Sequence, residues 1–163
     1  MNLPVVIIGV GNELRGDDGA GRVTARLLAR QSLPGKVTVH ESDGEALTLM
    51  ELWQGAAAVI LIDAASGEGA TPGKVIRLDA GTTPLPSGFL HRSSHALSVA
   101  DAVEMARALG RLPTHSLVFA IGGCDFAHGK KLSPAARRGC KEATTRILAE
   151  LSRDCPETLP LTP

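Results

Sequence analysis

Three apolar runs without polar alternation, at residues 5–10, 56–62 and 117–121, limit the folds open to this chain more than any other feature. A strand wetted on one face alternates, so an unbroken run of strand length, bounded by Gly or charge, implies cover on both faces. Two other segments do alternate, Lys36-Val37-Thr38-Val39-His40 and Lys74-Val75-Ile76-Arg77-Leu78, and suit strands at the edges of a sheet. Helical patterns lie between the strands, at residues 19–30, 46–53, 95–109 and 134–151. Ser93 and Ser94 are candidate N-caps of the third helix, and Ser133 followed by Pro134 opens the last. The order β-α-β-α-β-β-α-β-α predicts an α/β protein. Its expected form is three layers, α/β/α, around a five-stranded, mostly parallel twisted sheet. The strand at residues 74–78 is expected to run antiparallel, because about a dozen Gly- and Pro-rich residues barely suffice for a parallel crossover.

At 163 residues the chain is long enough for one domain, placed at residues 1–152, with residues 153–163 expected to be a flexible tail. Seventeen Lys and Arg balance seventeen Asp and Glu, and aromatics make up only 2%. Neither a phosphate-neutralising basic surface nor a base-stacking platform is therefore available, and no nucleic-acid partner is expected. No apolar run approaches the ~20 residues of a membrane span. Three cysteines without metal-finger spacing, in a chain without a secretory signal pattern, suggest a soluble, reduced, cytoplasmic protein.

Chemistry concentrates where strands end. The first strand enters a turn with Gly9, Gly11, Gly16, Gly19 and Gly21. Leu14 stands where a dinucleotide fingerprint needs its third Gly, and Asp17 and Asp18 stand where a P-loop needs Lys and Ser or Thr. Phosphate is disfavoured. A structural explanation of the two acids competes with a functional one: Asp17 as helix cap, Asp18 complementing the helix dipole and pairing with Arg22. Asp63 closes the second apolar run, and ligands of open parallel sheets collect beyond strand carboxyl ends. His95 is placed on the inward face at the start of the third helix, with His91 and His128 as its rivals. Two carboxylates and an imidazole suit a borderline divalent ion such as Zn²⁺ or Ni²⁺, with positions left open.

The segments Val6-Ile7-Ile8-Gly9-Val10-Gly11-Asn12, Asp17-Asp18-Gly19-Ala20-Gly21, Leu61-Ile62-Asp63-Ala64 and Ser93-Ser94-His95-Ala96-Leu97-Ser98, in this order, resemble the hydrogenase maturation protease family. The resemblance implies an endopeptidase that removes the C-terminal extension of a nickel-iron hydrogenase large-subunit precursor after nickel insertion. It carries nickel recognition onto Asp18, Asp63 and His95, the nickel arriving with the precursor and zinc or cadmium being able to stand in for it. The segment Gly122-Gly123-Cys124-Asp125 departs from the acid-Pro pair common there in the family.

Asp17 is the nearest candidate general base, while Cys124 has no activating neighbour beyond His128. A monomer in transient contact with the precursor is expected, with Trp53 or Phe89 assisting docking. Two other readings stay open: a zinc metallohydrolase holding its own ion through the same three residues, and a non-catalytic nickel-binding or docking protein.

Overall fold

The structure is a computed structural model that describes residues 3–91 and 97–153. Among these residues nine helices and strands form in the predicted order: β1 (Val5–Val10), α1 (Ala20–Ala29), β2 (Val37–Ser42), α2 (Ala46–Leu52), β3 (Ala58–Ala65), β4 (Val75–Asp79), α3 (Val99–Ala108), β5 (His115–Gly122) and α4 (Pro134–Arg153). A 3₁₀ turn, Gly16–Gly19, precedes α1. The sheet order is β2-β1-β3-β5-β4, so the three unalternated runs occupy the centre and the two alternating segments the edges. All pairings are parallel except β4 with β5. Residues 66–74 are too few to carry β4 round in parallel, and the chain turns back instead.

Successive strand residues face opposite sides of the sheet, and each side has its own core. Val6, Ile8, Val59, Leu61, Val118 and Ala120 pack beneath α2 and α3. Ile7, Ile60, Ile62, Phe119 and Ile121 pack beneath α1 and α4. At roughly 1.5–3 kcal/mol for each fully buried large aliphatic, these two layers dominate the stability of an aromatic-poor chain. Trp53, expected at a docking surface, is instead 1% exposed in the α2–α3 layer. Its indole N–H donates to the Arg111 carbonyl at 2.9 Å, which removes the cost of burying that donor. Phe89 is half-buried against the same layer.

Two boundaries differ from the sequence expectation. Helix α3 begins at Val99, not at residue 95, because Ser98 and Asp101 form a reciprocal capping box. Ser93, Ser94 and His95 lie outside the described residues, as does the expected tail beyond Arg153. Strand β3 continues past Asp63 to Ala65, so Asp63 sits within the strand. The long segment before α3 is pinned as well: Leu85 is buried, Leu90 bridges Ala65, and the His91 N–H donates to the Ala64 carbonyl at 2.8 Å.

Candidate active site

The carboxyl ends of β1, β2 and β3 open into a small cleft that is lined by Asp18, Asp43, Asp63, His91, Leu97 and Val99 among others. Asp18 reaches it through a tightly folded turn. Gly11, with φ +141°, leaves β1 in a conformation that L side chains rarely adopt, and a Cβ there would collide with the Asp18 carbonyl. The Asn12 N–H then donates to Asp18 Oδ2 at 3.0 Å. Gly21 lets α1 press against the backbone of β1 and β3, where a side chain would meet the Val10 and Ile62 carbonyls. The glycine-rich turn thus replaces phosphate cradling with close backbone approach.

The two neighbouring acids do different work. Asp17 is fully buried. Its Oδ1 accepts from the Ser133 N–H at 2.7 Å, and its Oδ2 from the Cys124 N–H at 2.8 Å, the Asp125 N–H at 3.3 Å and the Ser133 hydroxyl at 2.8 Å. Burial alone would raise its pKa, but these donors outweigh it and hold the carboxyl below the ordinary carboxylate range. Asp17 therefore clips the β1 turn to the β5–α4 segment and does not cap α1, whose N-cap is Gly19. That occupancy leaves it poorly placed for the general-base role suggested by sequence. Arg22 likewise does not pair with Asp18; its guanidinium binds Glu41 at 3.0 Å.

Asp18 and Asp63 are 5% and 2% exposed. Asp63 lies on the α2–α3 face of β3, and its Oδ1 accepts the Ala64 N–H at 2.8 Å. Burial, then the Asp18 charge, pushes the Asp63 carboxyl well above its usual range. Burial also raises Asp18, against the opposing pull of His91, the Asn12 hydrogen bond and Arg15. Two buried carboxyls, one of them further opposed by its neighbour's charge, are a fit for a cation, since a divalent ion beside them reverses that penalty.

His91 was a rival in the sequence, and the structure brings it to the cleft. Its Nδ1 lies 2.9 Å from Ser66 Oγ, its ring stacks on Phe126 with centroids 4.0 Å apart, and its Nε2 is 3.9 Å from Asp18 Oδ1. Burial lowers its pKa despite Asp18, so both partners of that contact shift toward their neutral forms. Asp43, also at the cleft, was missed; its signal was an Asp-Gly pair directly after β2. Ser66 and Phe126 had no local signal. Among the described residues no three His, Cys, Asp or Glu side chains converge on one point.

The sheet and its acid-lined rim define a three-layer α/β/α protein with its site at the strand ends. The chain belongs to the hydrogenase maturation protease family, whose sequence profile matches residues 22–150, and it is accordingly an endopeptidase. Solved structures agree on the fold. The hydrogenase maturating endopeptidase HybD from E. coli is 22% identical, with 93% of this chain and 94% of that chain covered and a TM-score of 0.74. An endopeptidase from Escherichia coli solved in solution is 23% identical over 97% and 98%, with a TM-score of 0.76. The [NiFe] hydrogenase maturation protease HybD from Thermococcus kodakarensis is 25% identical over 91% and 99%, with a TM-score of 0.67. A comparison with curated protein sequences gave no significant match. Family membership sets aside the purely non-catalytic reading. Among the described residues no helix is long and apolar enough to cross a membrane.

Proposed function

We propose that this endopeptidase removes the C-terminal extension of a nickel-iron hydrogenase large-subunit precursor, and that it recognises the precursor's nickel through Asp18, Asp63 and His95. The observation that carries the proposal is the convergence of Asp18, from the turn after β1, and Asp63, from within β3, on one cleft where burial raises both carboxyls and the Asp18 charge further opposes ionisation of Asp63, so that a cation is favoured there. The nickel is part of the substrate. Anchored at the cleft, it brings the scissile bond to the sheet rim, and a precursor without nickel lacks the anchor. Cleavage then acts as a checkpoint on metal loading. The same ion is positioned to polarise the scissile carbonyl or to lower the pKa of the attacking water.

The test is to incubate the purified protein with nickel-loaded and nickel-free precursor and to follow loss of the extension by mass. The loaded form alone should be cleaved. Equal cleavage of both forms contradicts the checkpoint and favours a zinc metallohydrolase with its own ion. Asp18→Ala, Asp63→Ala and His95→Ala should each lower processing at least ~100-fold, about 2.7 kcal/mol of transition-state stabilisation, without unfolding the chain. A variant that processes at the wild-type rate removes its residue from the site.

A further inference from the structure

We infer that His91 supplies an imidazole donor to the precursor's divalent ion, forming with Asp18 a two-donor seat at the cleft. The inference rests on the proposed metal recognition and extends it to a residue that the family resemblance does not carry.

Three geometric facts support it. First, the gap between His91 Nε2 and Asp18 Oδ1 is 3.9 Å. A charge-assisted N–H···O bond closes to about 2.7–2.9 Å, so this pair is too far apart for one. Two donors bound to one ion at about 2.0–2.2 Å each can stand up to ~4.2 Å apart, so this pair is close enough to share a cation.

Second, the other ring nitrogen has a partner. A metal-bound histidine donates its second N–H to an outer oxygen, which sets the tautomer and turns the lone pair toward the ion. Ser66 Oγ, 2.9 Å from Nδ1, is such an oxygen, and with Nδ1 protonated the Nε2 lone pair faces Asp18. Third, the ring is held in place. It stacks on Phe126 at an interplanar angle of 11°, and the His91 N–H bond to Ala64 anchors its backbone to the end of β3. On the opposite side, the Asn12 bond to Oδ2 orients the Asp18 carboxylate so that Oδ1 faces the imidazole.

The groups around the seat fit a cation that arrives with a partner. Asp63 and Asp43 line the same cleft and add negative charge. Two donors leave the ion's other positions to Asp63 and His95 of the proposed recognition set, to the precursor's own ligands or to water. Phe126 belongs to the β5–α4 segment that Asp17 clips in place, so the clip also fixes the platform beneath His91.

The experiment uses the full chain and nickel chloride alone. Nickel affinity is measured by isothermal titration calorimetry, and imidazole ligands are counted by X-ray absorption at the nickel edge. His91→Phe keeps a ring over Phe126 and removes both nitrogens. It should melt near the wild type, bind nickel at least ~10-fold more weakly and show one imidazole fewer; outer-shell losses alone run to about 10–100-fold. Ser66→Ala should weaken binding by a smaller factor with the imidazole count unchanged. Wild-type affinity and an unchanged imidazole count in His91→Phe overturn the seat while leaving metal recognition by Asp18 and Asp63 standing. Failure of the parent reading looks different: Asp18→Ala and Asp63→Ala then take up nickel as the wild type does, or the wild type takes up none, and the His91 seat falls with it.

Discussion

Replacing Asp17 by Asn keeps the shape of the side chain but exchanges one carboxylate oxygen for an NH₂ group and removes the charge. Five donors point at this carboxylate: three backbone N–H groups, of Cys124, Asp125 and Ser133, the Ser133 hydroxyl, and more weakly the Cys124 thiol at 3.5 Å. Whichever way the amide is turned, its NH₂ opposes at least one backbone N–H. That donor is left buried and unsatisfied, at about 1–3 kcal/mol. The remaining bonds lose their charge assistance, about 1 kcal/mol each from the difference between charged and neutral hydrogen bonds. With three N–H and O–H bonds remaining, the sum is about 4–6 kcal/mol, and at about 2–4 °C per kcal/mol for a domain of this size the melting temperature should fall by roughly 8–24 °C. The pH dependence has a definite sign. The folded-state pKa lies below the ordinary value of about 3.9, so the wild-type advantage is complete above that pH and is lost as pH falls through the lower, folded value. Calorimetric melts of both proteins between pH 3 and 8 check this. A variant melting within about 2 °C of the wild type at pH 7 would refute the clip.

Asp63→Asn should have the opposite effect on stability while blocking processing. The Asp63 pKa is raised by folding, so ionisation costs stability as pH climbs above about 3.9; urea unfolding should find the variant more stable at pH 8, with the gap closing toward pH 4. Equal stability at pH 8 would show that the buried charge carries no penalty. Gly11→Ala places a Cβ against the Asp18 carbonyl at a φ of +141°, and should cost about 1–3 kcal/mol in thermal melts and weaken nickel binding by shifting Asp18. An unchanged melt and affinity would show that the turn can relax without disturbing the carboxylate.

The sheet was legible because it is written in local patterns. Runs without alternation became β1, β3 and β5 at the centre, alternating runs became β2 and β4 at the edges, and the short link before β4 reversed its direction. The start of α3 was also written locally, in Ser98-Val99-Ala100-Asp101, but Ser93 and Ser94 offered a competing cap. Within the site, Asp18 and Asp63 were found because each follows or ends an apolar run. The division of labour between Asp17 and Asp18 was not legible. It depends on whether Asp17 meets Cys124 and Ser133, 107 and 116 residues away, and no local spacing encodes that. His91 stood in the sequence only as one of two rivals to His95 for the same reason, since Ser66 and Phe126, which hold it, lie on separate segments.

The Asp17 clip also sets an order of events during synthesis. The turn that presents Asp18 is encoded near the N-terminus, yet its partners lie more than 100 residues further along and are made late. Strand β5, which joins β3 to β4, is late as well. Contacts of such sequence separation form slowly and only after loop closure. A ribosome-bound fragment ending before residue 133 would carry both cleft carboxylates without the brace that shapes the turn. The cleft is therefore braced in full only once the β5–α4 segment has been made, and a chain truncated before it should show a loosened Asp18 turn.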